Sequence, residues 1–511
     1  MGRTGARWLA AAVVIASFFW MLGTAPLFDV DEGAFSQATL EMFERGDFLS
    51  TYLNGEPRYD KPILVYWLQA ACVALLGPSE WAFRLPSAIC ATLWAWLTYL
   101  FVRRYYGAER GLFAALLLAT SLGVFIIGRA ATADALLNLL IAASMFAAWL
   151  HLSTGERRWL YAAHAAIGLG VLAKGPVAIL IPFASTFLYS WRKRDLKTWA
   201  RAVFDWRGLL LLCAIALPWY IVILAKEGRG FVEGFFMKHN VGRFSGPVSG
   251  HGGSLLYYFP TLVFLSLPFT ALLVPVAMRV RAIWRDDLQA YLLLWFAFVF
   301  IFFSLSGTKL PHYLLYGYTG LAILMALHGY DLKAAFWILV PVLAFFAGLL
   351  ALPYVLTYVL GRVSDGSLRD VLAAALGQFS HAYFTFYAMV CAIVLYAMVE
   401  RATPLPRKLA AFGFAAVISL ATLVVPIAGY AEQGSIKEAA LLCRERHLDV
   451  VMWRLNAPSF SVYRGAPTPS RDPRPGEVVL TRASRLSELP ATLSYDLIYS
   501  KRGIVLAKIR A

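Results

Sequence analysis

Charged residues are scarce in this sequence. Only 15% of its 511 residues are Asp, Glu, Lys or Arg, and 60% are hydrophobic, whereas a soluble globular protein carries about 25% charged residues. This composition excludes an ordinary soluble protein and indicates a polytopic membrane protein. The formal net charge of +16 does not indicate nucleic-acid binding, because Lys and Arg concentrate in short loops between apolar runs, as in the cytoplasmic loops of membrane proteins.

The sequence also has few cysteines and lacks the common nucleotide-binding motifs. Gly168, Gly170 and Gly175 do not have the G-x-G-x-x-G spacing, and no Walker A motif is present, so a nucleotide-activated substrate is not indicated. The cysteines form no C-x-x-C pair, which leaves a disulfide framework or a zinc site without support. They are Cys72, Cys90, Cys213, Cys391 and Cys443.

Long apolar runs are abundant. A membrane-spanning helix needs roughly 20 mainly apolar residues, and we therefore predict an all-α polytopic membrane protein with about 13 transmembrane helices. The first run is long for a signal peptide and is expected to stay as an uncleaved span. Residues 62–76 are too short for a span and predict an interfacial helix. The predicted spans are 7–24, 82–102, 110–127, 133–151, 159–172, 175–191, 208–226, 257–278, 289–305, 311–328, 334–356, 383–399 and 409–428.

The basic loops indicate the orientation of these helices. With the N-terminus in the cytoplasm, nearly all the basic clusters fall on the cytoplasmic side, as the positive-inside rule requires, and the C-terminus lies outside. The polar loops collect on the opposite, outer face, where polar groups near hydrocarbon are expected to line a cavity or a site. The basic clusters are at 103–104, 157–158, 191–207, 279–285 and 401–408.

The composition divides the chain into two predicted domains. Residues 1–430 form the transmembrane domain, with candidate active-site loops on the outer face at 25–80 and 227–256. Residues 431–511 read as ordinary soluble sequence and predict a small α/β domain on the same face. We expect a helix at 435–447 and strands at 449–454, 477–480, 497–500 and 503–509.

The most acidic stretch of the chain is residues 28–62, which begin with Asp29, Asp31 and Glu32. A carboxylate here can act as a general base toward an acceptor or bind a metal ion. The structural alternative is that Asp31 caps a helix over residues 34–44, with Glu32 in a favourable position for the helix dipole. Both interpretations can hold, because a helix N-terminus also suits an anionic site.

The same stretch ends in Arg58, Tyr59, Asp60 and Lys61. Arg and Lys are the usual phosphate ligands of proteins, so Arg58 and Lys61 predict a site for a lipid phosphate. Snorkelling of both side chains to the membrane interface is the alternative.

Further ionisable residues lie at the outer ends of predicted spans. Asp134, which follows a possible helix cap at Thr132, is a second candidate catalytic acid. Lys174, Arg243 and Lys309 offer cations to a phosphate on the same face.

A divalent metal ion is a further option, although no cofactor is assigned. Asp60 and His251 are the candidate ligands. For His251 and His239, solvated loop histidines are the favoured interpretation.

Seven motifs occur in an order that resembles a known family. The sequence is similar to the bacterial polyprenyl-phosphate-sugar-dependent glycosyltransferases of the aminoarabinose transferase and protein mannosyltransferase superfamily, over roughly residues 25–330. The seven motifs, in chain order, are DVDEGAFSQATLEMFERGDFL, LNGEPRYDKPILVYWLQA, FRLPSA, AKGP, KHNVGRF, YYFP and SGTKLPHY.

The resemblance implies a C-type glycosyltransferase fold in a bacterial inner membrane, with the site and the C-terminus in the periplasm. It implies an undecaprenyl phosphate sugar as donor and lipid A or another envelope molecule as acceptor. It also implies that Asp31 and Asp134 are catalytic, with Glu32 beside them, and that Lys61 and Arg243 contact the lipid phosphate. The sequence departs from the family at Ala34, where a basic residue is usual.

Two other functions remain open at this point. Within the superfamily, the sugar could be mannose or another hexose and the acceptor a protein Ser or Thr. A transporter of lipid-linked sugars is a different class; such proteins carry charges deep in their spans and often show repeat symmetry, whereas the charges here lie at outer span ends.

Overall fold

The computed structural model describes residues 3–242, 246, 252–332, 335–489 and 493–510. It is mostly helical. The α-helices are Arg3–Phe19, Asp31–Arg45, Leu64–Leu76, Glu80–Tyr106, Ala108–Thr120, Leu122–Arg129, Asp134–Thr154, Arg157–Lys174, Val177–Arg192, Leu196–Val203, Trp206–Phe231, Tyr258–Leu265, Leu273–Met278, Val280–Arg285, Asp287–Leu305, Leu315–Tyr330, Ala335–Leu360, Gly366–Leu376, His381–Val399, Leu405–Ser419, Val425–Glu432, Gly434–Glu445 and Pro458–Arg464.

Shorter helical segments of other types connect them. Two π-helical segments are Val232–Val241 and Leu420–Val424, and the 3₁₀ turns are Leu255–Tyr257, Thr270–Leu272, Pro311–Leu314 and Ala483–Glu488.

Among the described residues, seven helices are long and apolar enough to cross a membrane, and two bent helix pairs raise the number to nine. The chain is therefore a multi-pass membrane protein, but the predicted count of 13 spans is not confirmed. Three further apolar helices have 10–17 residues and fall short of a full span. They are Arg7–Phe19, Leu64–Leu76 and Val177–Arg192.

The two bent pairs show why apolar runs and straight spans differ. The helices on either side of Ser121 are bent by 66°, and those at the break before Thr270 by 118°. The breaks meet, because the Leu122 amide donates to the Leu267 carbonyl at 2.9 Å. The Leu122 amide, which has no partner within its own helix, is thus hydrogen-bonded by a carbonyl at the second break. Within a membrane, backbone polar groups must find such partners inside the protein.

The helix Asp134–Thr154 and the helix Arg157–Lys174 form an antiparallel pair joined at Gly155. This pairing brings Asp134 and Lys174, 40 residues apart, to the same end of the bundle. We call this end the site face. The helix Glu80–Tyr106 also begins there, and its opposite end carries Arg103 and Arg104.

The acidic stretch forms an ordered structure on the site face. Its helix begins at Asp31 rather than at residue 34, and no side chain caps it, so the predicted capping role of Asp31 is wrong. A two-stranded hairpin follows, with β1 at Tyr52–Leu53 and β2 at Glu56–Pro57. The 13-residue helix Leu64–Leu76 comes next, where an interfacial helix was expected.

The C-terminal segment, residues 434–510, carries a four-stranded sheet in the order β3-β4-β6-β5. The parallel pair β3–β4 is followed by antiparallel pairs β4–β6 and β6–β5. All four predicted strands are observed, as is the first helix, whereas the short helix Pro458–Arg464 was not predicted. The strands are β3 Val450–Met452, β4 Val478–Arg482, β5 Tyr495–Lys501 and β6 Ile504–Ile509.

One hydrophobic cluster joins the C-terminal segment to the site face. Buried Phe460 and Ile436 pack in the same cluster as Leu27, Phe83 and Ala131 from the membrane helices and their loops. Burial of such side chains contributes roughly 1.5–3 kcal/mol each. The segment is therefore held against the acidic stretch.

Candidate active site

A cavity of about 530 Å³ lies on the site face between the acidic stretch, the helix ends and the C-terminal segment. It gathers six of the predicted site residues, although they come from three separate parts of the sequence. They are Asp31, Arg58, Asp60, Lys61, Asp134 and Lys174.

Asp31 lies in the first turn of the helix Asp31–Arg45 and is exposed to the cavity. Its carboxylate makes no hydrogen bond or ion pair with any residue that the structure describes. The charge of Asp31 acts on the Arg58 guanidinium and on the His312 ring. Asp31 is thus a carboxylate held near positive charge and left accessible, which suits a base or a ligand for a bound group.

Asp134 is buried and lies at the centre of a polar cluster. The Lys174 ammonium donates to its Oδ1 at 2.6 Å, and the Tyr316 hydroxyl donates to the same oxygen at 2.9 Å. Lys174 also donates to the Tyr316 oxygen at 2.6 Å, and the His312 Nε2 lies 3.7 Å from Oδ1. Lys174, predicted to contact a phosphate, therefore directs its charge first to Asp134.

Glu32, which was predicted to be catalytic, has both carboxylate oxygens occupied. It is 4% exposed and accepts two hydrogen bonds from the Arg84 guanidinium at 2.8 and 2.7 Å. The Phe28 and Ala131 amides donate to it at 2.9 and 2.8 Å. A buried carboxylate with four donors holds the groups around it in place. The catalytic role of Glu32 stays a prediction.

Arg58 and Lys61 also line the cavity. The Arg58 guanidinium donates to the Tyr66 hydroxyl at 3.2 Å, pairs with Asp60 at 3.2 Å and lies over the Phe35 ring. The Lys61 ammonium donates to the Asp60 carbonyl at 3.1 Å. Two cations therefore line the cavity close to Asp31, as expected for a phosphate site.

Ala34, where the resembled family has a basic residue, lines the same cavity as Arg58. Arg58 lies over the ring of the neighbouring Phe35. Arg58, 24 residues further along the chain, therefore brings a cation to the cavity wall that Ala34 also lines.

Lys309 does not line the cavity in the part of the chain that the structure describes, and its role as a phosphate ligand stays a prediction. It is 5% exposed, and its ammonium donates to the Ser304 and Ser306 carbonyls at 2.8 and 2.7 Å. These carbonyls end the helix Asp287–Leu305, where cations are favourable. Burial lowers the pKa of Lys309.

Arg243 and His251, the remaining predicted site residues, lie outside the described residues. Asp60, the other predicted metal ligand, is paired with Arg58. Within the part of the chain that the structure describes, no group of three or more His, Cys, Asp or Glu side chains is arranged to hold a metal ion.

Several residues of the site were not predicted. His312 and Tyr316 face Asp134, and Glu56, Lys238 and Asn456 line the cavity. His312 ends a motif that already stood out, and Tyr316 follows four residues later, the spacing that places two helical side chains on one face. No local signal points to Asn456, because it reaches the cavity from the C-terminal segment.

A second cavity, of about 450 Å³, adjoins the first and is lined mostly by apolar side chains. Asp31, Thr132, Asp134 and His312 line both cavities. The two acids therefore lie where the polar cavity meets the apolar one.

A helical membrane protein with this loop, these acids and these cations on one face has the C-type glycosyltransferase fold. Its fold matches the crystal structure of ArnT from Cupriavidus metallidurans bound to undecaprenyl phosphate, with a TM-score of 0.85 over 99% of this chain and 98% of that one, at 20% identity.

Sequence comparisons agree with this class. Residues 60–222 match the family described as dolichyl-phosphate-mannose-protein mannosyltransferase. The chain is 34% identical over 331 residues to undecaprenyl phosphate-α-4-amino-4-deoxy-L-arabinose arabinosyl transferase 2 of Pseudomonas fluorescens, covering 62% of this chain and 56% of that protein. The corresponding Pseudomonas aeruginosa transferase is 31% identical, over 62% of this chain and 58% of that protein. The match thus spans little more than half of these relatives.

Proposed function

We propose that this protein is an inverting membrane glycosyltransferase that moves a sugar from undecaprenyl phosphate to an envelope acceptor, with aminoarabinose-type transfer to lipid A as the preferred reaction. The observation that carries the proposal is the single cavity in which the accessible Asp31 carboxylate lies with Arg58 and Lys61. The names of the Pseudomonas relatives supply the donor class.

The proposed reaction is a single displacement at the anomeric carbon. An acceptor oxygen forms a bond to this carbon while the bond to the phosphate oxygen breaks, and undecaprenyl phosphate leaves with the electron pair. Arg58 and Lys61 stabilise the negative charge on the departing phosphate. Arg243 is proposed for the same role.

Asp31 acts on the acceptor. It takes the proton of an acceptor hydroxyl, or orients an acceptor phosphate that needs no base. Asp134, fixed by Lys174 and Tyr316, holds a negative charge in the same cavity as Asp31 and orients the His312 ring. Glu32 supports the backbone around Asp31 through Arg84.

The proposed site is periplasmic, in a bacterial inner membrane. The helix ends opposite the site face carry Arg103, Arg157 and Arg192, which supports a cytoplasmic location for those ends. With this orientation the C-terminal segment is a periplasmic α/β domain, and the 13 predicted apolar segments remain the proposed set of membrane-embedded helices.

Hexosyl transfer to a protein Ser or Thr is the second candidate, favoured by the match of residues 60–222 to the mannosyltransferase family. Both candidates use the same cavity and differ in the acceptor.

To test the proposal, purified protein is incubated with undecaprenyl phosphate-4-amino-4-deoxy-L-arabinose and lipid A. Mass spectrometry then measures the amount of sugar-modified lipid A. Transfer by the wild type and its loss by at least 100-fold in Asp31→Asn are expected. The matched control is Asp331→Asn, an exposed acid paired with Arg110 away from the cavity, which retains activity. Wild-type transfer by Asp31→Asn, or transfer to a protein acceptor instead of lipid A, contradicts the proposal.

A further inference from the structure

The cavity has one wall that comes from outside the membrane helices. Asn456 belongs to the C-terminal segment, between β3 and the helix Pro458–Arg464, and lines the cavity with Asp31 and Glu56. Asn456 is exposed, whereas Ala457 next to it is 1% exposed and Phe460 is fully buried. The side chain therefore projects from a well-packed loop.

Two contacts fix this loop above the cavity. The Ser459 amide donates to the Asp29 Oδ1 at 2.9 Å, and the Ser459 hydroxyl donates to Oδ2 at 2.5 Å. Asp29 lies two residues before Asp31. This contact holds one side of the loop to the start of the helix that carries the accessible carboxylate.

The second contact is at the hairpin. The Ser461 hydroxyl donates to the Asn54 Oδ1 at 2.7 Å, and the Thr468 amide donates to the same oxygen at 3.2 Å. Asn54 lies in the turn between β1 and β2, two residues before Glu56. The helix Pro458–Arg464 thus bridges the two edges of the cavity, and Asn456 precedes this bridge.

The chemistry of Asn456 differs from that of the phosphate-binding wall. Its amide carries two N–H donors and a carbonyl acceptor and no charge. None of the hydrogen bonds among the described residues uses this amide, so it has no structural partner there. A neutral group with both donor and acceptor positions matches sugar hydroxyls, whereas the phosphate is matched by Arg58 and Lys61.

We propose that Asn456 hydrogen-bonds a sugar hydroxyl of the substrate in this cavity, so that the C-terminal segment determines part of the sugar specificity of the transferase. The inference rests on the proposed function and adds a binding residue to it. The hydroxyl belongs either to the sugar of the donor or to a sugar of the acceptor, and the same amide chemistry serves both.

The test compares Asn456→Ala with Arg454→Gln in the full-length protein. Arg454 lies in the same loop but pairs with Glu488 and does not line the described cavity. For each variant, kcat and KM are measured with the undecaprenyl phosphate sugar varied at fixed lipid A, and with lipid A varied at fixed donor. Affinity for undecaprenyl phosphate without sugar is measured separately by thermal shift.

Asn456→Ala is expected to lower kcat/KM about three- to tenfold, the range for one neutral hydrogen bond, with unchanged affinity for undecaprenyl phosphate. A rise in the donor KM assigns the hydroxyl to the donor, and a rise in the lipid A KM assigns it to the acceptor. Arg454→Gln is expected to match the wild type.

The inference is overturned by wild-type kinetics in Asn456→Ala, by an equal loss in Arg454→Gln, or by a loss of affinity for undecaprenyl phosphate in Asn456→Ala. Each of these outcomes leaves the proposed function in place when the wild type transfers sugar and Asp31→Asn does not. Absence of transfer by the wild type overturns the proposed function and this inference together.

Discussion

Asp134 and Lys174 form a buried ion pair in which each charge depends on the other. Their side chains are 10% and 9% exposed, and Tyr316 hydrogen-bonds both. Removal of one partner of a buried pair leaves an uncompensated charge and typically costs about 3–5 kcal/mol, whereas removal of both is often tolerated.

We therefore expect Lys174→Met and Asp134→Asn each to lower the thermal midpoint in detergent, and the double variant to be less destabilised than the sum of the two. A double-mutant cycle gives the coupling, expected at about 1–3 kcal/mol. Additive effects would contradict the pairing. All three variants are expected to be impaired in transfer.

Lys61 and Lys309 test whether a lysine on the site face contacts phosphate or supports a helix end. Lys61→Ala is expected to lower the affinity for undecaprenyl phosphate about 10- to 100-fold, because a charge-assisted hydrogen bond contributes about 1.5–3 kcal/mol. Lys309→Met is expected to retain that affinity within about twofold but to unfold at a lower temperature, because the Ser304 and Ser306 carbonyls lose their donor.

Thermal shift with and without undecaprenyl phosphate measures both effects. An equal loss of affinity for undecaprenyl phosphate in the two lysine variants would show that Lys309 also contacts the phosphate.

At the scale of elements, the helix Asp31–Arg45 and the helix Pro458–Arg464 meet in an unusually close contact. A Cβ atom at Gly33 would clash with the Ser459 backbone nitrogen and with the Asp29 carboxylate. Gly33 therefore lets the C-terminal segment approach the start of the acid-bearing helix, which accounts for a glycine within a helix despite its low helix propensity.

Gly33→Ala is expected to destabilise the protein by about 1–3 kcal/mol, as overpacking of a close contact does, and to expose the C-terminal segment to protease. Gly366→Ala is the matched control, because that glycine also lies in a helix but has open space around it. The control is expected to be neutral or slightly stabilising. Equal stability of the two variants would contradict the close contact.

At the scale of the whole molecule, Asp29 couples the C-terminal segment to the membrane helices. Burial raises the pKa of Asp29 to about 7, although the Ser459 hydrogen bonds favour its ionised form, and the nearby Glu32 charge raises the pKa further. The docked state therefore binds more protons than the unfolded state between about pH 4 and 7.

It follows that the stabilising contribution of docking is largest at low pH and falls as the pH rises to about 7, by at most about 1.4 kcal/mol per pH unit. Protease resistance of the C-terminal segment between pH 5.5 and 8 measures this trend. Asp29→Asn is expected to flatten the trend, and an unchanged pH dependence in that variant would assign it to other groups.

Much of the fold could be predicted from the sequence, because apolar runs and period-2 strands are local signals. The 13 apolar segments all coincide with helices, and the four C-terminal strands were predicted within a few residues. The number of true spans could not be predicted, since the breaks near Ser121 and Pro268 are stabilised by contact with each other rather than by a local signal.

For the site, the sequence alone determined the residue types: the acid Asp31, the cations Arg58 and Lys61, and the polar stretch that carries them. That they line one cavity was seen only in the structure. Tertiary structure decided how the charges pair. Lys174 reaches Asp134 across 40 residues, Arg84 reaches Glu32 across 52, and Ser459 reaches Asp29 across 430. A buried charge takes the partner that packing brings within about 3 Å, and which helix ends meet is a property of the whole fold.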